Sequence, residues 1–138
     1  MVILGLDYGE SRIGAAVSDE LEIAAHALPT IERDGTELER IADLVRQREA
    51  ERVVVGLPRR LDGTEGRAAY RARGFAKDLR KRLEGVEVVM VDERLTTAQA
   101  HRALSQMGAG MRERRRSVDA MAAQIILQRH LEQRRRER

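Results

Sequence analysis

The sequence contains no cysteine and no tryptophan, and it has only two tyrosines and one phenylalanine in 138 residues. The absence of cysteine excludes disulfide bonds and thiolate metal sites, and it favours a reducing, cytoplasmic location. An aromatic content of 2% argues against an aromatic platform for stacking the bases of a nucleic acid. No apolar run approaches the ~20 residues that cross a bilayer, and no basic signal region precedes the first apolar run, so we expect neither membrane association nor a signal peptide.

Positive charge is concentrated toward the end of the chain. Residues 112–138 contain nine arginines against four acidic residues, in a chain whose total net charge is +3. This asymmetry indicates a polyanionic partner such as a nucleic acid. The alternative is a solvated, arginine-rich helix end that complements its own dipole. From about position 132 we expect a basic and flexible tail.

The first stretch of the chain predicts a hairpin that ends its first strand on a carboxylate. The apolar run Val2–Leu6 is too short for a helix and is closed by Asp7, Tyr8 and Gly9. A second apolar run, Ile13–Val17, follows the turn, where Gly9 can adopt positive φ without strain. A third run, Ile23–Ile31, contains Pro29, which predicts an edge strand. Taken alone, Asp7 is most simply a turn-forming residue.

The remaining segments alternate between helix and strand patterns. Apolar residues at helical spacing predict helices, and β-branched runs closed by glycine or charge predict parallel strands buried on both faces. In chain order these are a helix after Gly35-Thr36, a strand over the run Arg52–Pro58, a helix over Glu65–Leu83, a strand over Val86–Val91, a helix capped by Thr96 or Thr97, a basic flexible loop over 108–116 and a helix capped by Ser117. We therefore predict one α/β domain over residues 1–138. Its mixed five-stranded sheet has three antiparallel strands followed by parallel βα units, with helices on both faces.

The loop Pro58–Gly66 follows the predicted central parallel strand and carries Arg59 and Arg60. It is either a plain connection or a phosphate-facing loop, because such loops gather at the carboxyl ends of parallel strands. It lacks the Gly-Lys-Ser/Thr of a phosphate-binding Walker loop.

Four carboxylates lie at positions where a sheet and a helix could bring them together. Asp7 ends the first strand, Asp92 and Glu93 end the last strand, and Asp119 lies in the first turn of the predicted final helix. Strand alternation places Glu93 with Val91 and Asp92 on the other face, so one of the two acids is expected to enter a shared site. The alternative for Asp119 is a favourable charge near a helix N-terminus.

Three converging carboxylates, without cysteine or a nearby histidine, suit a hard divalent cation such as Mg²⁺ or Mn²⁺. Two such ions could activate water and stabilise the leaving oxygen during phosphodiester hydrolysis. The arginine cluster at 112–116 immediately precedes Asp119, so it could deliver a polyanionic substrate to that site.

The sequence resembles the YqgF family, also called RuvX, of pre-16S rRNA nucleases and Holliday-junction-resolvase-like proteins. The shared motifs are Leu6-Asp7-Tyr8-Gly9 with Arg12-Ile13-Gly14, Val55-Gly56-Leu57-Pro58 with Asp62-Gly63-Thr64-Glu65, Asp92-Glu93-Arg94-Leu95-Thr96-Thr97, and Val118-Asp119-Ala120-Met121-Ala122-Ala123. The resemblance covers nearly the whole chain, and it implies an RNase H-like fold, a divalent-metal nuclease site and a cytoplasmic location. It assigns catalysis to Asp7, Glu93 and Asp119, with Asp92 as a further metal ligand. The expected nucleic-acid contacts are Arg12, Arg59, Arg60, Arg94, Arg112, Arg114, Arg115 and Arg116.

One departure bears on the substrate. In junction resolvases of the related RuvC type an acid follows the central parallel strand, whereas here that strand ends in Gly56-Leu57-Pro58 and the acid comes from Glu93 on the next strand. We expect a nuclease that acts on structured RNA in 16S rRNA maturation. The alternatives are a nuclease for branched DNA, an actin- or sugar-kinase-like nucleotide-binding module, and a non-catalytic RNA-binding assembly factor. The oligomeric state stays open, with a homodimer among the expected partners.

Overall fold

A computed structural model describes residues 1–93 and 111–137, with side chains from position 119 onward in the second range. The strands are β1 (Val2–Tyr8), β2 (Arg12–Ser18), β3 (Ala25–Glu32), β4 (Ala50–Leu57) and β5 (Glu87–Asp92). The helices of the described ranges are α1 (Glu37–Arg48), α2 (Arg67–Arg82) and α3 (Met111–Glu137).

The five strands form one mixed sheet in the order β3-β2-β1-β4-β5. The pairs β1–β2 and β2–β3 are antiparallel, whereas β1–β4 and β4–β5 are parallel. This confirms the predicted arrangement of three antiparallel strands followed by parallel βα units. It also brings the carboxyl ends of β1, β4 and β5 to one edge of the sheet, which is where ligands bind in open α/β sheets.

Strand β3 lies at the edge of the sheet, as Pro29 predicted. Its pairing with β2 shifts register between Ile13 and Ala15, which are opposite Ile31 and Leu28. Pro29 lies in the extra length of β3 at this irregularity, where a missing N–H does not break a ladder bond. The strand is displaced by two residues at its start and one at its end from the predicted Ile23–Ile31.

Two apolar layers cover the sheet, one on each face. Strand alternation sends Leu4, Leu6 and Val53 to one face, where they pack with the buried stripes of α1 and α2. It sends Ile3 and Val54 to the other face, where they pack with α3 through its residues Ala123, Ile126, Leu127 and Leu131. The prediction of helices on both faces is therefore confirmed.

Glycines on the sheet let α3 approach closely. A Cβ atom at Gly14 of β2 would lie 2.0 Å from the backbone oxygen of Asp119, and one at Gly5 of β1 would lie 2.8 Å from Cβ of Leu127. These distances are shorter than any that real Cβ atoms adopt, so side chains at these positions would push the helix away. The position of Asp119 over the β1–β2 pair therefore depends on Gly14.

The later turns of α3 are fixed to the start of β3 by polar contacts. The Gln124 amide donates to the Ala25 carbonyl, and the Ala25 N–H donates to Oε1 of Gln128, each at 3.0 Å. Arg134 donates to the buried carboxylate of Glu22 at 2.5 Å. The helix continues to Glu137, so residues 132–137 are helical where the sequence suggested a flexible tail.

The start of α3 differs from the prediction. We expected a loop over 108–116 and a cap at Ser117, whereas the helix begins at Met111 and includes Ser117. The prediction gave too much weight to charge, because arginine and glutamate are good helix formers when exposed. Asp119 is consequently in the third turn, beyond the reach of the helix N-terminal dipole. The helix predicted after Thr96 or Thr97 lies outside the described residues.

None of the helices in the described ranges is both long enough and apolar enough to cross a membrane.

Gly14→Ala is expected to lower the free energy of unfolding by about 1–3 kcal/mol, because the new methyl group would overlap the backbone of α3. The control is Gly74→Ala in α2, where an added Cβ meets nothing within 4 Å. That change should stabilise the helix by about 0.5–1 kcal/mol. Urea denaturation of both variants measures the difference, and a Gly14→Ala protein as stable as its parent would show that α3 is not seated on Gly14.

Candidate active site

Asp7 is placed on the α3 face of the sheet by the alternation of β1. Leu4 and Leu6 face the opposite layer, so Asp7 shares its face with Ile3 and Gly5. Its cross-strand partner on β2 is Gly14, which contributes no side chain. The backbone of α3 at Asp119 occupies the position over Gly14, so the Asp7 carboxylate is held at the end of the central strand beside the helix.

Glu93 approaches Asp7 from the β4 side of the sheet. Its N–H donates to the Leu57 carbonyl at 3.1 Å, which extends the β4–β5 pairing by one residue. A Cβ atom at Gly56 would lie 2.5 Å from Oε2 of Glu93, so the side chain lies directly over this glycine and reaches across β4 toward Asp7. Gly56, the next-to-last residue of β4, is therefore required by the carboxyl group of the residue that follows β5.

Asp7 and Glu93 are hydrogen-bonded to each other through their side chains. Burial above all, together with the charge of Asp7, the hydrogen bond to Asp7 and the charge of Asp92, raises the pKa of Glu93 to about 9. Burial also raises the pKa of Asp7, although its hydrogen bond with Glu93 opposes this. Without a cation, the pair therefore holds one proton at neutral pH, with Glu93 as the donor.

Glu93 has one buried oxygen that the described residues leave without a hydrogen bond. Its Oε2 atom is inaccessible to solvent and has no partner among residues 1–93 and the described side chains of α3. An unsatisfied buried acceptor is costly, and native proteins usually keep one only where a ligand, ion or water completes it.

Asp119 approaches the same end of the sheet from α3. The pKa of Asp119 is raised to about 6, mainly by burial and then by the charge of Asp7, while Arg12 acts in the opposite direction. Its Oδ2 atom lies 3.8 Å from Nε of Arg12, and its Oδ1 atom lies 3.9 Å from the position of a Cβ at Gly9. Asp119 is thus an electrostatic neighbour of Asp7 that is oriented toward Arg12.

Asp92 lies on the other side of the sheet. Val88 and Met90 pack with the α1–α2 layer and Val89 and Val91 with the α3 layer, so alternation separates Asp92 from Glu93. An Asp92 oxygen lies 3.6 Å from Nη1 of Arg59. The structure therefore brings together Asp7 and Glu93, with Asp119 beside them, and separates Asp92 from this group.

The predicted nucleic-acid contacts divide into three groups. Arg12 and Arg59 are engaged by acids, and Arg59 lies between Asp92 and Glu65 with both pairs at 3.6 Å. Arg60 is exposed and donates to Thr64 at 3.4 Å. Arg94 lies outside the described residues, and the backbone of α3 alone is described for Arg112, Arg114, Arg115 and Arg116.

Two contacts near the site were not predicted. Arg33 donates to the carbonyls of Gly9 and Glu10 at 2.9 and 2.8 Å, and its guanidinium lies 4.3 Å from the ring centre of Tyr8. Tyr8 in turn stacks on a phenylalanine of α2, with ring centroids 4.3 Å apart. These contacts fix the turn that follows Asp7, and no sequence signal marks an arginine just after an edge strand for this role.

The residues present fit a divalent cation in their chemistry but form a pair rather than a closed cluster. The buried carboxyl pair has a raised proton affinity and one oxygen without a hydrogen bond. A hard cation bound there would neutralise the buried negative charge and coordinate that oxygen. No group of three histidine, cysteine or acidic side chains that could hold a metal ion is found within residues 1–93 and the described side chains of 119–137. Asp119 would have to exchange Arg12 for the ion to become a third ligand.

The family model for RuvX, described as Holliday junction resolvase, matches residues 1–133. The chain belongs to the RuvX family.

Two similar proteins carry the same name. A protein of Syntrophus aciditrophicus is 47% identical over 134 residues, which cover 96% of this chain and 89% of that protein. A protein of Anaeromyxobacter sp. is 46% identical over 136 residues, covering 97% and 98% of the two chains. Both are named "Putative pre-16S rRNA nuclease".

Solved structures of two resolvases share the fold of this RuvX member. Thermus thermophilus RuvC in complex with a Holliday junction substrate superimposes with a TM-score of 0.57, covering 98% of this chain and 96% of that one at 19% identity. The fowlpox virus Holliday junction resolvase gives a TM-score of 0.51 at 12% identity, covering 96% and 99%. At these identities the likeness establishes the RNase H-like α/β fold.

In the absence of metal, the stability of the protein should fall as pH rises from about 5 to 9. The pKa of Glu93 is about 9 in the folded protein and 4.5 ordinarily, so the folded state binds the proton more tightly and loses that advantage as the pH approaches 9. Glu93→Gln should flatten the pH dependence of the thermal midpoint measured in EDTA. The exposed control Glu84→Gln should retain the parent slope, and an unchanged slope in Glu93→Gln would contradict the shared-proton pair.

Proposed function

We propose that this RuvX protein is a cytoplasmic, divalent-metal-dependent nuclease of a single domain that hydrolyses phosphodiester bonds in structured RNA during maturation of the 16S rRNA 5′ end. The observation that carries the proposal is the buried Asp7–Glu93 pair, which has one free oxygen and lies at the carboxyl edge of the sheet. Asp119 lies beside this pair at the same edge.

Two adjacent buried carboxyl groups cannot both ionise at low cost, so at neutral pH they hold a proton. A divalent cation could take the place of that proton, because it satisfies both carboxylates and the free oxygen of Glu93 at once. Mg²⁺ or Mn²⁺ bound there would activate water and neutralise charge on the phosphate during hydrolysis. Asp7 and Glu93 are the residues that would hold it, with Asp119 as the third candidate.

The residues around the pair would position the substrate and the acids. Arg12 lies beside Asp119, so a substrate phosphate can compete for its guanidinium and leave Asp119 available to a cation. Arg59 ties Asp92 to Glu65, and Arg73 donates to Glu65 at 2.7 and 2.8 Å. This chain of ion pairs fixes the end of β5 next to Glu93, and it supports a positioning role for Asp92 in place of the predicted metal ligation.

The choice of RNA rests on the names of the relatives, which are 42–47% identical over most of the chain. A nuclease for branched DNA is the second candidate, and the family description as Holliday junction resolvase favours it. The structure supplies an argument for RNA as the first choice. The side chain of Glu93 occupies the space over Gly56, at the strand end where RuvC-type resolvases have their own acid, so the site is assembled differently.

Asp7→Asn is expected to abolish Mg²⁺- or Mn²⁺-dependent cleavage, a loss of at least about 10³-fold, because a neutral amide is a much weaker ligand than a carboxylate for a hard cation. Binding of the substrate in EDTA should change little. The control Asp43→Asn alters an exposed acid on α1 and should leave cleavage intact. Retained cleavage in Asp7→Asn would exclude the metal mechanism.

Parallel assays on a 16S rRNA precursor with an immature 5′ end and on a four-way DNA junction distinguish the two substrates. We expect cleavage of the precursor at a higher kcat/KM than the junction. Preferential resolution of the junction by the parent protein, and its loss in Asp7→Asn, would establish the second candidate instead.

A further inference from the structure

The outer side of α2 carries a row of residues that the candidate site does not use. Its members recur at alternating intervals of three and four positions, which keeps them on the helix side opposite the buried stripe of Ala69, Ala72, Phe75, Ala76 and Leu79. The row consists of Arg67, Tyr70, Gly74, Lys77 and Lys81, all of them exposed. We refer to it as the α2 row.

Tyr70 is the most exposed large apolar side chain of the described residues, at 81% of its full accessible surface. The other tyrosine, Tyr8, is stacked between an arginine and a phenylalanine. Leu61, in the loop that leads into α2, is also 75% exposed. An aromatic ring that contributes nothing to the core but stands free near a loop is available for stacking on a partner.

Gly74 lies in the middle of the same row without a packing reason. A Cβ atom there would meet nothing within 4 Å, and the residue does not adopt positive φ. Glycine inside a helix lowers stability relative to alanine, so its presence needs another cause. One turn from Tyr70, it leaves a shallow place where the surface of a ligand can approach the helix backbone.

The charged members of the row are free to meet a polyanion. Arg67, Lys77 and Lys81 have no ion pair within the described residues, whereas Arg73 on the flank is held by Glu65. Asp78 is the acidic side chain that adjoins the row. Lys77 and Lys81 are also the only two lysines in the sequence, and all the other residues in its total of lysine and arginine are arginines.

The row begins at the same edge of the sheet as the carboxylates, but on the layer that covers the opposite face. Helix α2 follows the loop at the carboxyl end of β4, and Arg60 lies over its first residues, with Nη2 only 2.7 Å from the position of a Cβ at Gly66. The Tyr70 N–H donates to the Gly66 carbonyl, so the ring is one turn from that arginine. From Arg67 to Lys81 the helix rises about 21 Å, at about 1.5 Å per residue.

We propose that the α2 row binds a single-stranded segment of the nucleic acid that continues around the carboxyl edge of the sheet from the phosphate at Asp7 and Glu93, so this inference rests on the proposed nuclease function. The cations of the row contact phosphates along this segment, and Tyr70 stacks on one unpaired base. A single strand is the occupant because a base within a duplex has both faces covered and cannot stack on a ring outside the helix. The expectation from composition, that no base is held by an aromatic side chain, is revised at this one residue.

Binding of a single-stranded oligonucleotide in EDTA tests the role of the ring. Tyr70→Ala should weaken binding about 5- to 100-fold, and Tyr70→Phe should restore affinity to within about twofold, because stacking requires only the ring. Leu21→Ala is the control, since Leu21 is 73% exposed on the turn at the opposite end of β1 and β2. Equal affinity of Tyr70→Ala and its parent would overturn the proposal, and so would a failure of Tyr70→Phe to rescue in a protein with the parent's thermal midpoint.

Lysine labelling tests the path of the strand independently of any substitution. An amine-reactive reagent can modify only two side chains, Lys77 and Lys81, and peptide mass spectrometry reads each of them separately. A bound single strand should protect both at least about fivefold, more strongly than a blunt duplex of the same length. Unchanged labelling, or protection by the duplex alone, would overturn the proposal.

The two proposals fail in different ways. In one outcome, the Asp7→Asn protein still cleaves normally, a strand still protects its lysines and binding still depends on Tyr70. This outcome would exclude the metal mechanism and support the α2 row. In the other outcome, Asp7→Asn loses metal-dependent cleavage but no strand alters the lysine labelling. This outcome would support the nuclease and exclude strand binding by the α2 row.

Discussion

The contact of α3 with the sheet is the constraint on which the site depends. Because Gly14 and Gly5 have no side chains, the helix backbone can lie against β1 and β2, and Asp119 arrives close enough to sense the charge of Asp7. The burial of Ala123, Ile126 and Leu127 supplies the hydrophobic driving force for this approach. A site assembled from both ends of the sequence therefore relies on close packing at positions where the sequence shows only small residues.

The same closeness places acids where water does not stabilise them. Glu93 lies over Gly56, under a helix and next to Asp7, so its ionised form is disfavoured both by burial and by like charge. If the pair had no role other than packing, apolar side chains of similar volume at these two positions would make the fold more stable. Retaining two carboxyl groups and one unsatisfied oxygen makes sense for a protein whose working state includes a cation at this point.

The sequence was sufficient to predict much of the fold because its patterns were simple. Continuous β-branched runs predicted the parallel strands, Pro29 predicted the edge strand, and the period of two in β5 predicted that Asp92 and Glu93 lie on opposite faces. The prediction for the start of α3 was wrong because a run of arginines is compatible with both a loop and a helix. The ties from Arg33 to the turn after Asp7 could not be predicted, since they depend on the spatial neighbourhood of an edge strand and carry no local signature.

The contact between Gly56 and Glu93 has a consequence for how such sites diverge. Any side chain at position 56 would occupy the volume that the Glu93 carboxyl group now fills, and losing Glu93 would leave a buried hole over a bare strand. Moving the acid from position 93 to position 56 therefore requires two substitutions together. A side chain added at Gly56 alone would crowd the site, and the loss of Glu93 alone would leave it empty. Substitutions at positions 56 and 93 should consequently occur together in homologues, and a lineage with one arrangement would rarely evolve the other.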